Sequence, residues 1–209
     1  MLYNQIQPTT DNTLIVVAAK PESQGKLEAM TKNVIYTGVG KVNAAMVLAT
    51  RLAGKRKGQD VILNIGTAGS HTHPIGSVIQ CSGFIQFDMN LTAQGFGQFT
   101  TPFEKQSELI SPILLGGLES DTLYTSDSFI TDKSLKLPLM DMEGYALAKA
   151  CQYHETPFIS VKYVVDSGGK PPVSWAQSMK AASDRLSEFT QQFFQGLFPI
   201  LLNRKQAKD

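Results

Sequence analysis

Three carboxylates stand where chemistry could use them. Asp166 ends the apolar run Phe158–Val165 and is followed by Ser167-Gly168-Gly169. A carboxylate at the end of a buried strand is a candidate for acid–base work, because open α/β sheets hold ligands at the carboxyl ends of their strands. Glu22 occupies a similar place, just after the run Leu14–Ala19. Glu143 lies in Asp141-Met142-Glu143-Gly144-Tyr145, ahead of a segment rich in Ala and Leu. A carboxylate in a first helical turn is also an ordinary partner of the helix dipole, which is the plain reading of one of this pair. Three carboxylates are thus expected to meet at one edge of a sheet.

Other motifs carry less. Gly38-Val39-Gly40-Lys41 follows a short strand and opens a helix, where two glycines let the backbone approach a ligand and helix N–H groups face it. The dinucleotide fingerprint needs Gly where Asn43 stands, which disfavours a nicotinamide-dependent oxidoreductase; a P-loop would need other residues at Ile35 and Val42. Asn64-Ile65-Gly66-Thr67-Ala68-Gly69-Ser70 closes a buried strand with small residues and reads as a tight turn. His71-Thr72-His73 has no third ligand at supportive spacing and reads as surface, so no metal is expected. A Ser-His-Asp triad lacks its G-x-S-x-G turn. Cys81 and Cys151 both sit in apolar stretches and read as buried free thiols.

The elements that position these groups follow from periodicity. Leu14–Ala19, Val61–Ile65 and Phe158–Val165 are rich in β-branched residues without polar alternation, as strands covered on both faces are. Val34–Tyr36 and Val78–Phe87 add strands. Val42, Ala45, Met46, Ala49 and Leu52 recur at helical spacing, with Gly54 as a stop, and Gly144–Cys151 forms a second helix. The longest helix starts at Ser174, an N-cap after Pro171 and Pro172, and steps through Trp175, Met179, Ala182, Leu186, Phe189, Phe193 and Leu197. His154 falls at a helix C-terminus. Thr92–Gly117 reads as a long irregular stretch. Strands alternating with helices give an α/β fold on a mixed or mostly parallel sheet.

Composition narrows the partners. The 209 residues carry 19 Lys and Arg against 18 Asp and Glu, a net charge of +1, so phosphate neutralisation along a nucleic acid is not expected. Only Arg51, Arg56, Arg185 and Arg204 are arginine, the usual fork for phosphate. No apolar run approaches the roughly 18 residues that span a bilayer. Met1–Asn12 is polar, without the positive start and apolar middle of a signal peptide, so the expected location is the cytoplasm.

Six blocks in order carry a family resemblance: LIVVAAKPE (14–22), TGVGKVNAA (37–45), NIGTAG (64–69), TSDSFI (125–130), MDMEGYALAKAC (140–151) and FISVKYVVDS (158–167). Together they resemble the nucleoside phosphorylase/nucleosidase superfamily, and within it the methylthioadenosine/S-adenosylhomocysteine nucleosidases. The resemblance implies a single domain over 1–209, three layers α/β/α around a central mixed, partly closed sheet, usually a homodimer. It implies hydrolysis of the N-glycosidic bond of a purine nucleoside, releasing adenine, with no cofactor.

The resemblance also implies roles by position. Glu22 would activate the attacking water, with Thr67 and Gly69 on the water side. Glu143 would hold the ribose hydroxyls, with Met142 against the sugar. Asp166 would protonate or hydrogen-bond the purine at N7. Phe129 would stack on the base, and Ile130 would offer its backbone to the base edge. Val39, Leu91, Phe96 and Trp175 would wall the pocket for the 5′ substituent.

Several residues depart from the family pattern. Lys162 stands where the nucleosidases carry an Arg that orders the water, keeping the charge without the fork. Val165 stands where they carry a Ser that bonds to the Asp. Asn90 replaces an acid, and the chain is short through Gln98–Leu123. Phosphorylases of the superfamily hold phosphate with arginines, and neither Lys20–Gln24 nor Val61–Ser70 contains one, so water is the expected nucleophile. Other readings within the resemblance are a nucleosidase or phosphorylase for another purine nucleoside, such as futalosine or inosine, and a nucleoside-binding relative without turnover.

Overall fold

The computed structural model describes residues 6–53, 61–168 and 174–203. Strand β1 (Thr13–Val17) is buried at every position. Leu14 and Val16 face one hydrophobic cluster while Ile15 and Val17 face another, so the strand is covered on both sides. β3 (Val61–Gly69) and β9 (Phe158–Asp166) behave alike, and both pair parallel in register with a neighbour in the sheet centre. Their buried polar atoms are satisfied: Ser160 Oγ donates to Asn64 Oδ1 at 2.8 Å, and Asn64 Nδ2 donates to the Val16 carbonyl at 3.0 Å.

The sheet closes on itself through part of its width. β1 carries β2 (Val34–Tyr36) on one side and β3 on the other. β3 meets β8 (Leu139–Asp141), β8 lies parallel to β7 (Ser120–Thr125), and β7 lies parallel to β4 (Val78–Gln86). β9 then bridges β4 and β3, which completes a five-stranded ring. β5 (Glu108–Ile110) adds to β4, and β6 (Ile113–Leu115) pairs with β10 (Ile200–Leu202). The mixed, partly closed sheet of the sequence reading is therefore present.

Helices cover both faces. α2 (Lys41–Leu52) and α3 (Gly144–Tyr153) pack on one cluster, and α4 (Trp175–Phe194) packs on the other beside α1 (Lys20–Ser23). α4 buries Met179, Ala182, Leu186, Phe189 and Phe193, and Ser174 Oγ accepts the Gln177 N–H at its start. Trp175 and Leu197 stay exposed, and Leu197 lies beyond the helix.

Some expectations shift. α2 buries Ala44, Leu48 and Leu52, while Val42 and Met46 are 67% and 65% exposed. Of the residues at helical spacing, Leu52 faces inward and Ala45 packs against the core, but Val42 and Met46 do not. Gly54, Pro171 and Pro172 lie outside the described residues. The segment NIGTAG is no turn: β3 runs on through Gly69, because small residues there let neighbouring side chains close over the strand. The irregular stretch 92–117 holds β5 and β6, three-residue strands too short to show a period. Cys81 and Cys151 are buried free thiols. Among the described residues no helix is long and apolar enough to cross a membrane.

Candidate active site

β1, β3 and β9 run parallel, so their carboxyl ends fall at one edge, with the end of β8 beside them. Glu22 reaches this edge from the short helix after β1 and is buried. Its Oε1 accepts the Thr67 N–H at 2.8 Å and the Thr67 hydroxyl at 2.9 Å, and its Oε2 accepts the Ala19 N–H at 3.2 Å. Gly66 makes room for it. A Cβ there would lie 3.2 Å from Glu22 Oε1 and 3.3 Å from Lys162 Nζ, so carboxylate and ammonium share one small space.

Asp166 is aimed by an irregularity. The β3–β9 register shifts between Ala68 and Gly69, which leaves Val165 as the extra residue of a bulge and sets Asp166 opposite Gly69. A Cβ on Gly69 would lie 2.8 Å from Asp166 Oδ1, so glycine is needed for the approach. Val165 points into the core, and Asp166 Oδ1 accepts the Gly168 N–H at 2.8 Å. The backbone thus supplies a hydrogen bond to the carboxyl that Val165 cannot.

Glu143 stands just before α3 and accepts the Gly40 N–H on Oε1 at 2.8 Å. Asp127 Oδ1 accepts the Lys41 N–H at 2.8 Å. The N–H groups of the glycine turn, expected to face a ligand, therefore hold two of the chain's own carboxylates, with φ of +81° at Gly38 and +95° at Gly40 shaping the turn. Burial pushes the Glu143 carboxyl up to about 7. The neighbouring Asp141 carboxylate adds to the rise, and the Lys162 cation and the Gly40 N–H oppose it.

Sequence reasoning missed Asp141 as a member of this group. Its side chain is 1% exposed and accepts Lys162 Nζ at 2.9 Å on Oδ2, where Lys162 is 2% exposed. Asp141 also accepts the Thr125 hydroxyl at 2.7 Å and the Gly144 N–H at 2.8 Å. Burial is the largest single influence on the Lys162 pKa and would lower it, but the Asp141 carboxylate, the Cys81 and Glu143 groups and the hydrogen bond to Asp141 together raise it, so the ammonium stays charged. The signal was available: a Lys inside an apolar strand requires a buried partner.

A cavity opens at this edge, lined by Gly69, Ser128, Phe129, Ile130, Met140, Asp141, Met142 and Asp166. It unites Asp166 with the residues expected to hold base and sugar. Val39, Leu91, Phe96 and Trp175 are not among its walls. Val39 is 52% and Trp175 57% exposed, while Leu91 and Phe96 are half-buried beside the 3₁₀ turn Thr92–Gln94. His71, expected at the surface, instead has its Nε2 buried at the Gly168 turn, because that residue is glycine. Of the arginines, Arg51 ends α2 and Arg185 pairs with Glu188 on α4, while Arg56 and Arg204 lie outside the described residues.

A half-closed α/β sheet with buried carboxylates at parallel strand ends defines a class of small-molecule enzyme rather than a nucleotide-cofactor fold. The sequence model of the phosphorylase superfamily matches residues 16–195, and the chain belongs to that superfamily. It is similar to proteins named 5′-methylthioadenosine/S-adenosylhomocysteine nucleosidase. The Bacillus pumilus protein is 29% identical over 207 residues, covering 88% of this chain and 87% of its own. That of Geobacillus thermodenitrificans is 26% identical over 198 residues, 83% of each chain. Among solved structures, the Colwellia psychrerythraea nucleosidase in complex with adenine aligns over 91% of this chain and 97% of its own, with a TM-score of 0.74 at 20% identity. The Helicobacter pylori nucleosidase with butyl-thio-DADMe-Immucillin-A gives a TM-score of 0.76 at 18% identity, over 88% and 97%.

Proposed function

We propose that the protein hydrolyses the N-glycosidic bond of 5′-methylthioadenosine and S-adenosylhomocysteine, releasing adenine. One observation carries this reading: three buried carboxylates, Glu22, Glu143 and Asp166, stand at one sheet edge beside a cavity walled by Phe129, Ile130 and Met142. Their spread matches the charges of the reaction. Departure of the base leaves positive charge on the ribosyl ring and negative charge on the purine.

Glu22, held by Thr67, accepts a proton from the attacking water as its oxygen bonds to C1′. The C1′–N9 bond breaks and its electrons pass to the purine. Asp166 donates a proton or a hydrogen bond at N7. Glu143 accepts the ribose hydroxyls and Met142 packs on the sugar. Phe129 stacks on the base and Ile130 meets its edge. Lys162 stays charged beside Glu22 through its Asp141 pair and orders the water. Val39, Leu91, Phe96 and Trp175 border the 5′ substituent, with Gly69 on the water side.

The same reading takes the chain as one domain, supported by the span of the family match. It takes the chain as a homodimer, supported by the apolar face that α2 and α3 leave open, where Val42, Met46 and Tyr153 are exposed. A cytoplasmic location is supported by the two unpaired buried thiols. The test is purified protein with methylthioadenosine, with and without phosphate. Adenine and free methylthioribose are expected in both. 5-Methylthioribose 1-phosphate appearing only with phosphate would overturn the hydrolase; binding without any adenine release would leave a binding protein.

A further inference from the structure

His71 follows β3 and is locked by two reciprocal hydrogen bonds. Its backbone N–H donates to the Leu137 carbonyl at 2.9 Å, and its Nδ1 accepts the Leu137 N–H at 3.1 Å. An Nδ1 that accepts cannot carry a proton, so the neutral ring bears its hydrogen on Nε2. That Nε2 is one of two buried polar side-chain atoms without a hydrogen-bond partner among the described residues. It packs at Gly168, where a Cβ would lie 2.3 Å away. Gly168 is also the residue whose N–H grips Asp166 at 2.8 Å. On the other side, Leu137 closes the segment that follows Phe129 and Ile130, and Lys133 of that segment donates to Ser167 Oγ at 3.2 Å.

We propose that neutral His71 is a positioning residue for the base end of the site: it locks the segment carrying Phe129 and Ile130 onto the turn carrying Asp166, and its protonation releases that lock. The geometry requires the coupling. An imidazolium would direct a second N–H at the Leu137 N–H, so the 3.1 Å bond cannot survive the proton. The charged groups acting on the ring are Lys133 and Asp132 on the segment and Asp166 on the turn. Burial, then the Lys133 cation, hold the His71 pKa below its ordinary value of 6.5, against the opposing pull of the two carboxylates. The lock is therefore intact at neutral pH and opens only on acidification.

The consequence for base binding rests on the function proposed above, and two readouts separate the claims. The first needs no ligand: amide exchange at Leu137, corrected for intrinsic rates, between pH 7.5 and 5. Protection is expected to fall at least tenfold in the wild type and less than twofold in His71→Asn, whose amide oxygen replaces the Nδ1 acceptor without titrating. The second is adenine affinity by calorimetry over the same interval, expected to weaken at least fivefold in the wild type and less than twofold in His71→Asn. Equal pH profiles in the two proteins by either readout overturn the proposal. Should the variant not fold, ring ¹⁵N shifts of the wild type decide, since a proton on Nδ1 at pH 7.5 overturns it. Adenine failing to bind the wild type at both pH values would remove the functional reading, while the exchange data still judge the lock.

Discussion

Replacing Lys162 with Met removes a charge from the interior while keeping the length and most of the packing of the side chain. Its ammonium lies 2.9 Å from Asp141 Oδ2, and the two side chains are 2% and 1% exposed. Water cannot take over as partner at that depth. Breaking a buried pair from one side costs about 3–5 kcal/mol, because the remaining charge is left uncompensated. For a domain of this size each kcal/mol shifts Tm by about 2–4 °C, so the expected loss is roughly 6–20 °C. Scanning calorimetry or urea melts read this directly. The Asp141→Asn, Lys162→Met pair should recover part of the loss, since no charge is then stranded. A second readout separates packing from charge. Lys162 opposes the upward push on Glu143, so its removal should move the Glu143 limb of the kcat/KM profile above its value near 7. A loss under about 1 kcal/mol, with an unmoved limb, would refute the claim that this pair organises the site.

The remaining variants probe one role each. Asp166→Asn should lower kcat roughly 10²-fold or more, the scale for a lost general acid, and an unchanged rate would remove Asp166 from the chemistry. Glu22→Gln should abolish hydrolysis yet retain adenine binding by calorimetry; loss of both would make Glu22 a structural residue. Gly69→Ala sets a Cβ 2.8 Å from Asp166 Oδ1, so a misplacement of about 1 Å should cost about 10²-fold in kcat, and wild-type turnover would refute the close approach. For Glu143 the sign runs upward: its carboxyl is protonated below about 7, so kcat/KM should rise as pH passes that value and an acceptor for the ribose hydroxyls appears. Glu143→Gln should flatten that limb, and a limb that persists in the variant assigns it elsewhere.

What the sequence made legible was what local pattern encodes. β1, β3 and β9 carry unbroken apolar runs because both faces are covered, and their carboxyl ends pointed to Glu22 and Asp166. The three-residue strands β5, β6, β8 and β10 escaped because their pairing is decided across the chain. The same holds for the site. Nothing local set Asp141 apart, because it meets Lys162, 21 positions away in sequence, only when β8 and β9 come together. Val42 and Met46 recur at helical spacing yet are exposed, because spacing alone does not reveal which stripe faces inward. His71 read as surface because nothing local shows that Gly168 leaves space for its ring.

The charge at this edge bears on the choice of nucleophile. Lys162 is the one buried cation among the described residues, and Asp141 already neutralises it at 2.9 Å. Glu22 and Glu143 remain around the same space, both buried. A phosphate entering here would set two further negative charges against carboxylates, with no arginine in Lys20–Gln24 or along β3 to offset them. Water adds no charge on arrival and gives its proton to Glu22 as it attacks. The developing ribosyl cation, by contrast, gains from every carboxylate in reach. The scarcity of arginine and the surplus of buried acid thus act in one direction, favouring a neutral nucleophile and a cationic transition state.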